Sequence, residues 1–534
     1  MYRVSIMRKI MKKIIAILAI TALGVSSAAF AQDKVTPVTV DRANMESLWL
    51  SHTNNAAGGI IDAPDLQAIA EAKYDLTKGD FKYAQLGDDN KTAIFHTKGG
   101  GIYENLGGAY FWGEFTYTNE SISGARWNAT LVDPLRDMPF FLADDNYSKW
   151  KNQKYNIKFK AATPLLWDHL ILGVAGNYDN AIAAKQIDPR PKTLMSKVEI
   201  FPSLVWKFRG GFSMGADFQY FSYREDGSGS RVNSLVDPKA WDMVAPGFFN
   251  AGVLANFGSS IHALRAYNAN ALGGGAQLGY ECDKFKAVTG FNYTYKVEDV
   301  LFSYEKPQMA GTVRDNRFDI TLAAEKKFDS GNLLFLNFKA SYKDYDGIEY
   351  FQTYDNTYEV QTWITDAKFV RSNFKNVLNT LKVDYMVTDG ADGYVWKFGV
   401  EGNLCNDAFV YYVPESHRKI GYFDAGAYIT RNFALGSNSS LVANVSGRYS
   451  HATTAELDYN GTRSEDPGYT EFTVLDFQYA TTDFAECGAD VKYVFSGLKG
   501  SSSLFAGASY KHLFPKGDQF KKRSFLVFSM GLTF

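Results

Sequence analysis

The last thirteen residues decide the fold, and Lys522–Phe534 reads KRSFLVFSMGLTF. Successive side chains of a β-strand point to opposite faces of the sheet. Counting back in twos from the end therefore places large apolar residues on one face: Phe534, Leu532, Met530, Phe528 and Leu526. The other face carries smaller side chains on average. The stretch predicts an amphipathic terminal strand that ends in Phe.

A terminal strand of this kind resembles the C-terminal assembly signal of Gram-negative outer-membrane β-barrels. The resemblance implies that the barrel assembly machinery reads Phe528, Met530, Leu532 and Phe534 and that this strand closes the barrel. It also implies a location in the cell outer membrane, with outer-membrane lipid around the wall.

Residues 1–31 have the three parts of a secretory signal. Residues 1–13 are rich in Lys and Arg, residues 14–25 are apolar, and Ala29-Phe30-Ala31 has the small-x-small form that precedes cleavage. The apolar run is shorter than the roughly 20 residues of a spanning helix. We predict a signal peptide cut before Gln32, and an uncleaved membrane anchor is the alternative.

Composition agrees with a barrel and excludes several classes. Aromatic residues make up 15% of the 534 residues, with 33 Tyr and 40 Phe, which suits a barrel with aromatic girdles at both membrane interfaces. The formal net charge of −2 gives no reason to expect a nucleic-acid partner. The three cysteines lie far apart and form neither a disulfide framework nor a zinc motif.

Apolar and polar residues alternate from about residue 71 to the end of the chain. For example, Phe291 and Tyr293 alternate with Asn292 and Thr294. The polar face lies outside in a soluble sandwich and inside in a membrane barrel. Periodicity does not separate these two folds, but the signal peptide and the terminal Phe favour the barrel.

Short turns alternate with longer polar connections along the chain. The short turns lie near residues 105–107, 164–168, 208–211, 281–284, 328–332, 388–393, 433–439 and 497–501. The longer connections are roughly residues 130–150, 226–268, 346–373, 406–416 and 456–475. We therefore predict an all-β, transmembrane, antiparallel up-and-down β-barrel with about 18 strands, in a range of 14–18, short periplasmic turns and long extracellular loops.

Over residues 71–534 the chain resembles an uncharacterised barrel family that is known only as a domain of unknown function. The resemblance rests on the signal peptide, the terminal strand and the alternation of short turns with long connections. Residues 32–70 do not alternate. They form either a plug in the lumen, with His52, Asn54 and Asn55 as polar contacts, or a disordered periplasmic tail. A TonB-dependent transporter is disfavoured because such barrels have about 22 strands and a plug domain.

The polar faces of the strands supply candidate lumen residues. These are Lys286, Lys296, Asp319, Lys339, Lys382, Asp384, Lys397, Glu401, Arg448 and Asp490. Because the signs are nearly balanced, a strongly ion-selective pore is not indicated. The simpler interpretation is a lattice of cross-strand pairs that holds the wall, and the functional one is a hydrated, weakly selective channel or a polar cavity.

Residues 346–373 contain aromatic side chains among carboxylates, which could stack on and hydrogen-bond a ligand. The candidate contacts are Tyr350, Phe351, Tyr354, Tyr358 and Trp363. The favoured alternative is a hairpin that continues the wall above the bilayer. Residues 226–268 contain a further apolar piece that suits a constriction, a lid or a docking surface.

No motif in the sequence indicates catalysis, a cofactor or a resident metal, so we expect no enzyme. Glu415-Ser416-His417 is the nearest approach to a catalytic pair, but neighbouring residues of a strand point apart. Our hypothesis is an outer-membrane channel or transport-related barrel for small solutes. The rival is a non-conducting barrel whose extracellular loops dock a surface lipoprotein or bind ligands.

Overall fold

The fold was analysed in a computed structural model. It describes residues 34–64, 66–229, 232–233, 235, 239–245, 250–254, 263–302, 308–357, 362–388, 393–498 and 500–534. For residues 250–254 and 263–264 it describes the backbone only.

Eighteen antiparallel strands form one closed barrel. They are β1 (Gln67–Gly79), β2 (Asp89–Tyr103), β3 (Ala109–Ala125), β5 (Ser148–Ala162), β6 (Leu170–Lys185), β7 (Lys192–Lys207), β8 (Phe212–Ser228), β11 (Ala263–Cys282), β12 (Phe285–Leu301), β13 (Met309–Lys327), β14 (Leu333–Asp355), β15 (Thr362–Val387), β16 (Trp396–Tyr412), β17 (Glu415–Ala434), β18 (Ser439–Asp458), β19 (Phe484–Phe495), β20 (Ser503–Pro515) and β21 (Arg523–Thr533). The last strand pairs with the first from Ile69 opposite Thr533 to Gly79 opposite Arg523, which closes the wall. The predicted fold class, the strand number and the closing role of the terminal strand are confirmed.

The strand ends that flank all eight predicted short turns lie at the rim where β1 begins and β21 ends, and residues 389–392 and 499 of these turns lie outside the described residues. This is the periplasmic rim, and the longer connections lie at the opposite, extracellular rim. Two of the predicted long connections are wrong. Residues 346–373 belong mostly to β14 and β15, which pair with each other up to Asp355 opposite Thr362. Residues 406–416 belong to β16 and β17, which are joined directly after Tyr412 and before Glu415.

The outer face of the wall carries an apolar belt. The residues predicted on the apolar faces, such as Ile157, Phe291, Phe398 and Phe528, are exposed there, while their polar neighbours point into the lumen. A closed sheet satisfies its own backbone hydrogen bonds, and an apolar outer surface suits hydrocarbon. The protein is therefore an outer-membrane β-barrel.

Several smaller elements fill parts of the barrel. The N-terminal ones are α1 (Pro37–Glu46), α2 (Leu48–His52), a 3₁₀ turn (Ala56–Gly58) and α3 (Gly59–Asp62). A three-stranded sheet consists of β4 (Phe140–Ala143), β9 (Ala240–Val244) and β10 (Asn250–Leu254). A π-helical stretch (Gly468–Thr473) continues into α4 (Val474–Ala480). In the described ranges, no helix has the length and apolar character to cross a membrane.

Candidate functional site

Residues 34–64, which we call the N-terminal plug, lie inside the barrel at its periplasmic end. Their entry is tied to the barrel seam, since Val35 N–H donates to Ser501 O at 2.8 Å and Thr533 Oγ1 donates to Val35 O at 2.6 Å. The helix α1 then starts with a capping box at Thr36 and Thr39, which fixes the direction of the chain into the lumen.

One side of the plug contacts strands β14 to β20. Val38 packs in an apolar cluster with Leu333 and Phe335 of the wall. Asp41 accepts a hydrogen bond from Tyr394 Oη at 2.9 Å and forms an ion pair with Lys397. This face of α1 is therefore held by both apolar and ionic contacts.

The other side of the plug contacts strands β3 to β13. Trp49 is only 3% exposed and belongs to a cluster with wall residues such as Ile171 and Val205. Gly279 of the wall makes room for its ring, because a Cβ there would lie 2.7 Å from Cζ2 of Trp49. Since the two sides of the plug reach strands around the whole circumference, the plug spans the lumen.

Asn55 pins the plug to three separate strands. Its Nδ2 donates to Leu204 O at 2.9 Å, to Ala216 O at 3.3 Å and to Gln277 Oε1 at 2.9 Å. Its Oδ1 accepts a hydrogen bond from Ala57 N–H at 3.0 Å. A fully buried amide with every contact satisfied is a strong orientation constraint, because leaving it unpaired would cost about 1–3 kcal/mol.

Two titratable groups of the plug have pKa values shifted in the direction that favours their neutral forms. Burial raises the pKa of Asp62 to about 7, although the Trp49 N–H that donates to its Oδ2 at 2.6 Å opposes the shift. Burial, with a smaller effect of nearby Lys382, lowers the pKa of His52. Burial in the plug therefore disfavours the charged form of both side chains.

A second body closes the extracellular end. We call residues 126–147, β9 and residues 468–480 the extracellular cap. They share an apolar cluster with inward-facing wall residues such as Tyr345, Phe374 and Phe409. Within it, Trp127 stacks on Phe472 with 5.6 Å between ring centroids.

Buried ion pairs lock the cap onto the wall. Arg136 Nη1 lies 2.7 Å from Glu298 Oε1, and its Nη2 lies 3.1 Å from Glu225 Oε2. Burial by itself would lower the pKa of Arg136. The carboxylates of Glu298 and Glu225 oppose that effect, and the pKa stays above its usual value. Lys185 and Asp144 form a second pair in which both side chains are fully buried. Such pairs fix geometry more than they add stability.

Between the plug and the cap lies a polar cavity of about 700 Å³, which we call the chamber. His52 and Asn54 of the plug line its lower part. At its upper margin Lys343, which also lines it, forms an ion pair of 3.1 Å with Asp137 of the cap. Its charged lining is Glu114, Lys158, Lys160, Glu199, Lys296, Asp315, Arg317, Asp319, Lys339 and Lys343.

A second polar cavity, of about 490 Å³, lies beside α1 against strands β15 to β20. Its lining also mixes signs, and Arg448 pairs there with Glu486 at 2.8 Å. Ion pairs therefore connect charged side chains in the linings of both cavities.

The sequence-derived lumen residues divide between these cavities. Lys296, Asp319 and Lys339 line the chamber. Lys382, Lys397, Glu401, Arg448 and Asp490 line the second cavity. Of the other two, Lys286 lines cavities near the periplasmic end, and Asp384 is fully buried with its carboxylate 3.4 Å from Lys382.

The aromatic residues of the β14–β15 hairpin contact each other and the wall. Tyr350 Oη lies 2.9 Å from Thr312 Oγ1, Phe351 packs against Phe369, and Tyr354 packs against Trp363. Tyr358 lies outside the described residues. In the terminal strand, Phe528 and Met530 face outward, and Phe534 exchanges two backbone hydrogen bonds with Ala68.

Several residues that shape the site were not singled out from the sequence. Arg136, Glu225 and Glu298 form the buried cluster beneath the cap, and Trp49 fills the gap between plug and wall. The sequence carried no distinctive signal for this cluster, because an Arg in a long connection and a Glu in a strand are both common. For Asn55, the expectation of a polar plug contact matches its position in the lumen.

A family model described as a family of unknown function (DUF6850) matches residues 67–534. No curated protein matches the chain. Among solved structures, the ferric preacinetobactin receptor BauA of Acinetobacter baumannii has 9% identity and a TM-score of 0.40, with 88% of this chain and 80% of that chain covered. The ferric yersiniabactin uptake receptor FyuA of Yersinia pestis has 7% identity and a TM-score of 0.41, with 88% and 80% covered. The outer-membrane protein opdK of Pseudomonas aeruginosa has 11% identity and a TM-score of 0.32, with 88% and 99% covered.

Proposed function

We propose that this chain, which belongs to the DUF6850 family of unknown function, is a gated, non-enzymatic transport barrel for small solutes. The observation that carries the proposal is the polar chamber of about 700 Å³ held between the N-terminal plug and the extracellular cap. A wall of 18 strands is wide enough for an aqueous lumen unless something fills it. Here two separate bodies fill it.

The plug and the cap are built as two gates in series. The plug ends at residue 64 and β1 begins at Gln67, so the plug can leave the lumen while its C-terminal end stays attached to the wall. The cap consists of connections that fold inward from the extracellular rim. A solute reaches the chamber from one side when one gate opens, and leaves when the other opens.

The rival function is a non-conducting barrel that docks a surface lipoprotein or another ligand outside the membrane. One observation favours it. The β14–β15 hairpin pairs with β13 only up to Ile348 and with β16 only from Ser372, so its tip rises above both neighbours. Phe351 and Phe369 are exposed on that tip.

Conductance in planar bilayers tests the transport proposal with four proteins. These are the unmodified barrel, a variant lacking residues 34–64, Phe472→Ala in the cap, and the combination. Phe472 is buried against Trp127, so its loss loosens the cap. Thr470→Ala is the matched control, because Thr470 lies in the same stretch but its side chain is exposed.

We expect steady conductance steps only in the combined variant, and none in the unmodified barrel. Two results contradict the proposal. One is a combined variant that is folded, as shown by its heat-modifiable gel shift, yet silent. The other is an unmodified barrel that conducts continuously.

A further inference from the structure

Basic side chains outnumber carboxylates in the lining of the chamber. Six basic side chains line it, namely Lys158, Lys160, Lys296, Arg317, Lys339 and Lys343. Four carboxylates line it, namely Glu114, Glu199, Asp315 and Asp319. The basic groups are therefore in excess.

In two of the ion pairs the basic side chain is more exposed than the carboxylate that it pairs with. Lys158 lies 3.1 Å from Glu114, and the two side chains are 43% and 16% exposed. Arg317 lies 3.0 Å from Asp319, and these side chains are 48% and 19% exposed. In these two pairs the carboxylate lies against the wall, while the ammonium or guanidinium group reaches the space that a solute would occupy. The Lys343–Asp137 pair at the upper margin has the opposite order, with side chains 20% and 47% exposed.

Two of the lysines have no carboxylate partner within the part of the chain that the structure describes. Lys160 Nζ donates to Leu50 O of the plug at 2.7 Å and lies 5.9 Å from the Trp112 ring centroid. Lys339 makes no hydrogen bond or ion pair with the described residues, and its side chain is exposed in the chamber. Lys339 therefore keeps its charge available for a ligand, whereas the Nζ of Lys160 is engaged by the plug.

We infer that the chamber binds small organic anions, a class of solutes that carry carboxylate or phosphate groups. This inference rests on the proposed function and names the class of solute carried. Charge-assisted hydrogen bonds from Lys and Arg to carboxylate or phosphate are the strong ones. The chamber volume limits the ligand to metabolite size, and the aromatic rings of Trp112 and Phe221 in the same lining suit the apolar part of such a solute.

The binding is tested on the full-length protein in detergent, by the midpoint of its heat-induced gel shift. A ligand that binds only the folded state raises this midpoint with the logarithm of its concentration. The probes are sodium succinate, sodium phosphate, glucose and, at matched ionic strength, sodium chloride. We expect succinate, phosphate or both to raise the midpoint by several degrees beyond sodium chloride, and the better of the two identifies the oxyanion.

Lys339→Gln should lose at least half of that rise. Lys492→Gln is the matched control, because Lys492 lines the second cavity and its loss removes the same charge from the lumen. The control should keep the full rise. The inference is overturned if neither anion exceeds sodium chloride, if glucose acts as strongly as the anions, or if the two lysine variants behave alike. This assay measures binding and does not depend on conductance. A barrel that binds succinate in this assay but stays silent in planar bilayers would therefore support the anion site while contradicting the transport proposal.

Discussion

Replacing Trp49 by alanine should release the N-terminal plug from the wall. Truncating a buried Trp to Ala costs about 3–5 kcal/mol in general. The ring contacts Gly215 and Gly279 of the wall, but it also contacts Gly58 of the plug itself. Only the wall contacts are lost on release, so we assign about 2–3 kcal/mol of the total to docking, which lowers the ratio of docked to released plug by about 30- to 150-fold.

The assay is the labelling rate of a single thiol in the chamber. Thr321 lines the chamber, so Thr321→Cys in a background without the native cysteines reports access. With a charged thiol reagent in detergent, the rate should rise in proportion to the released fraction, because the closed state protects the thiol. We expect an increase of about 30- to 150-fold for Trp49→Ala.

Ser51→Ala is the control, since Ser51 lies on the same helix but is exposed. A variant lacking residues 34–64 sets the upper limit of the rate. If Trp49→Ala labels no faster than Ser51→Ala while the deletion variant labels fast, the assignment of docking energy to Trp49 is refuted.

Two further predictions concern the charges of the plug and the cap. Burial raises the pKa of Asp62 to about 7 in the docked plug. At pH values between the ordinary pKa of an aspartate and about 7, the docked state therefore binds a proton that the released state does not. Docking should therefore weaken as the pH rises through that window, and Asp62→Asn should flatten the pH dependence of the labelling rate. Arg136→Met leaves Glu225 and Glu298 buried without their shared partner, which should cost about 3–5 kcal/mol of folding stability. A lower midpoint of the heat-induced gel shift checks this, and an unchanged midpoint in Arg136→Met contradicts the role of the ion cluster.

The wall of the barrel could be predicted because its signals are local. Alternation of apolar and polar side chains follows from the pleat of each strand, and a short turn is encoded in a few residues. The terminal stretch that ends at Phe534 needed no distant information to be recognised as a closing strand. The errors lie where local signals agree for two structures. Residues 346–373, for example, read as a long connection by their polarity, although a tall hairpin was the favoured interpretation of their aromatic side chains, and pairing between β14 and β15 decided for the hairpin.

The placement of residues 34–64 was left open by the sequence. A segment with weak amphipathic character is compatible with a plug or with a tail. Which of the two it forms depends on whether the wall supplies contacts for its side chains. Asn55 finds its partners 149, 161 and 222 residues away in the chain, at Leu204, Ala216 and Gln277. No pattern within the segment carries that information.

The sequence by itself predicted an outer-membrane barrel of about 18 strands with a polar lumen, and its resemblance to known barrels implied that the terminal strand closes the wall. Only the tertiary structure decided that the lumen is divided, with the plug below, the cap above and a chamber between them. The physical reason is the range of the interactions. Strand geometry repeats every two residues, whereas the closure of the lumen depends on contacts such as Arg136 with Glu298, which are 162 residues apart in the chain.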